Sequence, residues 1–194
     1  MESVTAANMG WLNNRMTNWI YEVVYAFFFI FPAYAANAMP VVLGGGPPID
    51  LGRKWFDGKP IFGSHKTIRG FAAGVTAGTL TGLAQDFVLH SVAPSDFVLP
   101  FQFSVFVGFV VSFGALLGDL AHSFVKRRIS IVEGAPLPIA DQLDFVAGAV
   151  LLSFLAPPPH LNVLTVAIIL VITLPTHLLT NVVAYLVGVK KAPW

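Results

Sequence analysis

The 194-residue chain is 56% hydrophobic and only 11% charged, with a formal net charge of +1 and a mean hydropathy of +0.75. That balance excludes a separate soluble part and a nucleic-acid partner, and it points to one membrane bundle over residues 1–194. With no cysteine in the chain, disulfides, thiolate metal sites and thiol nucleophiles are excluded as well.

In chain order, apolar stretches run from about Trp19 to Leu43, Phe71 to His90, Phe97 to Phe124, Leu143 to Ala156 and Leu161 to Val187. Judged against the ~20 residues that a spanning helix needs, they predict an all-α integral membrane protein, a bundle of five transmembrane helices. The fourth stretch is short before the Pro157-Pro158-Pro159 stop, so its helix is expected to begin at headgroup level with Asp141 and Asp144. The first eighteen residues lack the pattern of a cleaved signal, which makes the first span an expected uncleaved anchor.

Within the spans, Gly70, Gly74, Gly78 and Gly82 fall on one helix face, and Ser104, Gly108, Ser112, Gly114 and Gly118 repeat similar spacings in span three. Small residues so placed let backbones approach, so spans two and three are expected to form a tight pair. Pro32 and Pro175 should kink spans one and five, with Asn37, His177 and Asn181 satisfying freed backbone groups. No repeat of whole spans is visible, unlike many transporters.

Ten of the eleven Lys and Arg residues lie between spans one and two, between spans three and four, or at the C-terminus. Cytoplasmic loops carry the excess of Lys and Arg, so the expected orientation is multi-pass in the cell membrane, N-terminus outside, C-terminus and two long loops cytoplasmic.

Fourteen of the twenty-one charged residues crowd into Gly44–Gly70 and Asp119–Asp144. Ionised groups are costly at bilayer depth and persist where they face a cavity. Asp119, His122, Ser123 and Lys126 share one face of span three at i, i+3, i+4 and i+7, and Asp141 and Asp144 sit at i and i+3 on span four. Three carboxylates around one space suit an oxygen-liganded Mg²⁺ at Asp119, Asp141 and Asp144, with His122 the nitrogen candidate. The alternative is that Asp141 caps the fourth helix and Asp144 pairs with Arg127 or Arg128.

In the other window, Gly63-Ser64-His65-Lys66-Thr67 and Arg69 stand where the second helix begins, and a helix N-terminus with basic side chains favours phosphate. Lys66-Thr67 lacks the preceding glycine of a phosphate-binding P-loop, since His65 stands there. The alternative is a purely topological loop, with Trp55 and Phe56 as interfacial anchors.

Ser123-Phe124-Val125-Lys126-Arg127, Gly118-Asp119 and Asp141-Gln142-Leu143-Asp144 together resemble the signature of the phosphatidate cytidylyltransferases. Pro47-Pro48-Ile49-Asp50, Arg53-Lys54-Trp55-Phe56-Asp57-Gly58 and Phe62 through Gly70 are similar to its archaeal branch, the CDP-archaeol synthases. Where the bacterial pattern has Lys-Asp and His-Gly-Gly, this chain has Val132-Glu133 and Leu137-Pro138-Ile139-Ala140, which favours the archaeal branch. The resemblance implies a single cytidylyltransferase domain that moves CMP from CTP to a prenylated glycerol phosphate lipid. It implies catalytic roles for Asp119, Lys126, Asp141 and Asp144, and phosphate or substrate contacts at Arg53, Lys54, His65, Lys66, Thr67, Arg69, Ser123 and Arg127, with Asp50 and Asp57 as further loop contacts. CTP, the lipid phosphate and membrane lipid are the expected partners, with a homodimer as a further candidate.

Two competitors use similar materials. A CDP-alcohol phosphotransferase needs an Asp-Gly-x-x-Ala-Arg motif, whereas Asp57-Gly58 is followed by Lys59-Pro60-Ile61-Phe62. A transporter or channel would want charge near the bilayer midplane, and these charges lie at cytoplasmic ends.

The orientation carries a direct test. A probe within residues 50–66 should react only from the cytoplasmic side and one at Ser95 only from outside; labelling of Ser95 from the cytoplasm overturns the arrangement.

Overall fold

A computed structural model of the chain describes residues 2–92, 105–155 and 161–189, with side chains at 19–91, 105–155 and 161–189. Ser95, Ser104, the triple proline and Lys190-Lys191 lie outside the described residues. Five helices follow in order: α1 Glu2–Leu43, α2 Ile68–Val92, α3 Val105–Arg128, α4 Ala140–Ser153 and α5 Val163–Leu186. The described residues contain no strand beyond two isolated bridges, Pro48 with Thr67 and Lys54 with Pro60. The all-α expectation therefore holds.

Among the described residues, three segments are long and apolar enough to cross a membrane: Trp19–Leu43 within α1, Val105–Arg128 and Val163–Leu186. In α2, glycines and threonines dilute the apolar character. At 14 residues, α4 rises about 21 Å at ~1.5 Å per residue, short of a hydrocarbon core of roughly 30 Å.

Phe29 and Ile30 of α1, Val111 of α3, Phe145 and Val146 of α4 and Ile169 of α5 form the buried core. In α1, Pro32 has no N–H to give the Phe28 carbonyl, which would be left unpaired in an apolar setting. Gln85 of α2 fills that place, its Nε2 donating to Phe28 O at 2.9 Å. The compensating amide thus comes from a neighbouring helix, where Asn37 of α1 itself was expected to act.

The small residues divide between two partners. On α2, a Cβ at Gly74 would lie 2.6 Å from Ala36 O of α1, and one at Gly78 would overlap Ser112 Oγ of α3. Gly108 faces Gly82 so closely that an added Cβ would come within 2.9 Å of its Cα. So α2 does pair tightly with α3. Gly114 and Gly118, however, turn the opposite way: a Cβ at Gly114 would lie 2.6 Å from Gly148 O, and one at Gly118 would overlap Asp144 O. Gly148 returns the contact onto Gly114 and Gly118. Short α4 therefore rests backbone to backbone on α3, a packing in which any side chain is overpacking.

Gly118→Val should lower unfolding stability by roughly 1–3 kcal/mol or more, because backbone cannot give way as a side-chain tip can. Ala121→Val, on an exposed part of α3, should leave the detergent melting curve nearly unchanged. Equal curves for both variants would contradict the packing.

Candidate active site

The first loop, residues 44–67, is built around a buried carboxylate. Asp50 is 7% exposed, and its oxygens accept the N–H groups of Gly52 at 3.0 Å, Phe62 at 2.9 Å and Gly63 at 3.1 Å. Burial works to raise the Asp50 carboxyl, but these backbone donors outweigh it and hold it below the ordinary carboxylate range. Around this centre the chain pairs with itself, Ile49 N–H to Lys66 O at 2.7 Å and Ile68 N–H to Pro47 O at 3.1 Å.

Thr67 ends the loop as the cap of α2, its buried hydroxyl accepting Gly70 N–H at 3.1 Å and Gly45 N–H at 3.2 Å. Arg69 serves the opposite helix end. Its Nε donates to Leu43 O at 2.8 Å and its Nη2 to Gly44 O, satisfying carbonyls that the end of α1 leaves free. These two residues, expected at phosphate, hold the α1–α2 corner.

The second loop, residues 129–139, grips the first. Glu133 Oε2 accepts Ser64 Oγ at 2.6 Å and Ser64 N–H at 3.1 Å, and His65 Nε2 stands 3.8 Å away. A Cβ on Gly63, whose φ is +105°, would sit 2.6 Å from Glu133 Oε1, so glycine serves both backbone and space here. Lys59 Nζ donates to Arg128 O at 2.8 Å and Ser130 Oγ at 2.7 Å, while Arg128 Nη1 donates to Asp57 Oδ1 at 2.7 Å.

Between the loops lie the charged side chains of α3 and α4. Lys66 Nζ reaches both oxygens of Asp119 at 2.6 Å. Lys126 Nζ donates to Asp141 Oδ1 at 2.7 Å, Asp141 Oδ2 at 3.0 Å and Ala135 O at 2.8 Å. Asp141 also bonds His122 Nε2 at 2.7 Å and Leu137 N–H at 2.6 Å. It does not cap α4, whose N-cap is Ile139 with no side-chain bond. Asp144 has no ion pair with Arg127 or Arg128 among the described residues, since Arg128 takes Asp57.

His122, Asp141 and Asp144 bring one potential ligand atom each to within 4.8 Å of one another. This donor set fits a divalent cation. Two carboxylates suit a hard ion, and an imidazole already bonded to Asp141 can orient that ligand. Asp119 stands outside this trio and carries Lys66.

Arg127 differs from its neighbours. It is 7% exposed and, like Arg128, has a buried Nε without a hydrogen-bond partner, but unlike Lys126 and Arg128 it enters no ion pair among the described residues. A buried cation without a counter-charge is costly, and an incoming anion would relieve that cost.

The charged groups between the loops open on one cavity of about 1190 Å³. Lys66, Asp119, Ser123, Lys126, Arg127 and Asp144 line its polar end, with His65, Thr67, His122, Glu133 and Asp141 around them. Phe27 and Phe31 of α1 and Leu179 and Val183 of α5 line its largely apolar side, where Asn37, His177 and Asn181 also face it. Arg53, Lys54 and Arg69 do not line it. The clasp by Glu133 was not anticipated; the available signal was an acid next to Gly134 in an otherwise uncharged loop.

A family model described as CarS-like, CDP-archaeol synthase, matches residues 16–194. A CDP-archaeol synthase of Thermococcus kodakarensis is 43% identical over 176 residues, 91% of this chain and 99% of that one. The Pyrococcus abyssi protein of the same name is 45% identical over 169 residues, 87% and 96% of the two chains. A solved structure of an intramembrane enzyme for archaeal membrane lipid biosynthesis superposes with a TM-score of 0.72 at 34% identity, covering 82% of this chain and 94% of that one.

The depressed Asp50 carboxyl has a pH consequence. Its contribution to stability is complete above the unfolded-state pKa and is lost as pH falls through the lower native value. Asp50→Asn cannot accept at both oxygens. It should melt lower at neutral pH, by about 1–3 kcal/mol for unsatisfied donors, with a smaller stability loss on acidification than the parent chain. Parallel melting-versus-pH curves would contradict this.

Proposed function

The chain belongs to the CDP-archaeol synthase family, and from that premise we propose that it transfers CMP from CTP to the phosphate of digeranylgeranylglyceryl phosphate. The products are pyrophosphate and unsaturated CDP-archaeol. The observation that carries this reading is one cavity lined both by cationic and acidic side chains of the loops, α3 and α4 and by largely apolar side chains of α1 and α5. A water-soluble nucleotide and a lipid phosphate need such a meeting place.

In this reading an acceptor phosphate oxygen attacks the α-phosphorus of CTP, and the bond to the bridging oxygen of the β-phosphate breaks. The acceptor is already an anion, so no side chain need remove a proton. What the chain must supply is alignment and charge neutralisation for two polyanions. Arg127 receives a phosphate without first giving up a carboxylate. Lys66 and Lys126 line the same cavity, each able to exchange a carboxylate contact for a phosphate one, as do His65 and Ser123. Asp141 and Asp144 would hold a divalent ion, Mg²⁺ in this reading, with Asp119 as a third carboxylate. When bound, that ion supplies neutralisation of the triphosphate.

The lipid chains enter between α1 and α5, along Phe27, Phe31, Leu179 and Val183, because the glycine-lined contacts are closed. The accompanying topology has five crossings, N-terminus outside, with α4 inserted from the cytoplasmic side and both loops at that surface.

Purified protein given α-labelled CTP, Mg²⁺ and a panel of lipid phosphates should form labelled lipid and pyrophosphate with the prenylated ether substrate. Arg127→Ala should lower kcat/KM for CTP about ten- to a hundredfold, the ~1.5–3 kcal/mol of a charge-assisted contact. Asp144→Asn should abolish most turnover while the chain remains folded. Full activity in both variants, or no pyrophosphate from any lipid phosphate, would overturn the reading.

A further inference from the structure

The hairpin of residues 53–61 does not line the cavity at Arg53, Lys54, Trp55 or Phe56, yet it carries a conspicuous apolar tip. Phe56 is 96% exposed and Trp55 44%. The tip is held in shape by Trp55 N–H to Lys59 O at 2.8 Å and Gly58 N–H to Trp55 O at 2.9 Å. It is also fixed in height. Trp55 meets Phe124 of α3 edge to face at 5.3 Å, the Arg128 guanidinium lies 4.8 Å from the centre of the Phe124 ring, and Arg128 bonds Asp57.

That height is set by α3. Its 24 residues rise about 36 Å at ~1.5 Å each, more than a hydrocarbon core of roughly 30 Å, and its last turn carries Lys126, Arg127 and Arg128, so that end emerges among the headgroups. Arg128 ends that turn and Phe124 stands one turn before it, and the hairpin is bolted to both. Val125 and Ile129 at the same helix end are exposed at 50% and 57%. Aromatic rings with adjacent basic residues are the composition of a membrane–water interface, where the rings enter the headgroup boundary and cations meet lipid phosphates. Arg53 and Lys54 are exposed beside the rings.

We propose that residues 53–61 form an interfacial foot: Trp55 and Phe56 enter the headgroup–acyl boundary of the bilayer that α3 crosses, with Arg53 and Lys54 at the level of the lipid phosphates. The occupant of the apolar tip is bilayer lipid. Because the same loop carries Ser64 and Lys66, the foot holds the polar end of the cavity at the depth where a lipid phosphate resides. This goes beyond the proposed transfer and does not depend on it.

The chain has no cysteine, so Phe56→Cys gives a single attachment point for an environment-sensitive dye, at a side chain exposed enough that folding is not at risk. In nanodiscs, the dye should emit to the blue of its value in water. Lipids with a nitroxide near the top of the acyl chain should quench it, and aqueous iodide should quench it several-fold less than free dye. Iodide quenching equal to free dye, with no effect of the nitroxide lipid, overturns the proposal. So does strong energy transfer between donor- and acceptor-labelled copies combined with shielding from nitroxide lipid, which would put a second chain on the tip. None of these readouts involves turnover, so the foot and the proposed reaction fail separately.

Discussion

The backbone contact between α3 and α4 decides where the charges of this protein meet. Gly114, Gly118 and Gly148 remove the side chains that would hold the helices apart, and the carbonyl of Asp144 sits against Gly118 itself. The same approach brings His122 of α3 and Asp141 and Asp144 of α4 within ligand distance of one another. A side chain at any of these glycines would separate the donor set as well as the helices. The geometry of the polar site therefore follows from small residues that carry no chemistry of their own.

Once the carboxylates are gathered, their mutual repulsion must be answered. Lys66 crosses from the first loop to Asp119, and Lys126 turns onto Asp141. Both pairs are partly shielded from water, which strengthens their attraction and makes loss of either partner costly. The loops that deliver these cations are in turn fixed by buried or bridging acids: Asp50 inside the first loop, Glu133 between the two, Asp57 to Arg128. Arg127 stands apart, a buried cation facing the cavity without a counter-charge among the described residues. Among the described residues of the cavity, Asp144 likewise has no ion pair, so one cation and one carboxylate stand there unmatched.

The apolar parts obey the same requirement that polar groups find partners. Pro32 frees a carbonyl in α1 and Gln85 answers it from α2. Tyr34 OH lies 2.8 Å from Thr173 Oγ1 across the α1–α5 interface, and Glu22 accepts from Asn162 at 2.9 Å and Thr165 at 2.5 Å. These bonds tie α5 to α1 at separated points, and side chains of both helices line the largely apolar side of the cavity. The glycine-lined contacts are filled, so the space for hydrocarbon lies elsewhere in the bundle.

Much of this was legible in the amino-acid order. Hydrophobic runs and their lengths determine helices because backbone groups in an apolar phase must pair within their own segment. The clustering of charge marks the polar site because isolated ions are expelled from that phase. The i, i+3, i+4 and i+7 spacing put Asp119, His122, Ser123 and Lys126 on one face, and the motifs around Arg127 and Asp141 carried the family. Tertiary structure alone decided the partners. Gly114 and Gly118 turn to α4 while Gly108 and Ser112 turn to α2, because a glycine records that something approaches but not what. Thr67 and Arg69 satisfy helix ends, since spacing cannot tell a cationic or hydroxyl group that meets a phosphate from one that meets a free backbone group. Glu133 finds Ser64 across 69 residues of chain, a contact without local periodicity. Single-chain patterns encode which face is polar; only the packed bundle encodes what that face meets.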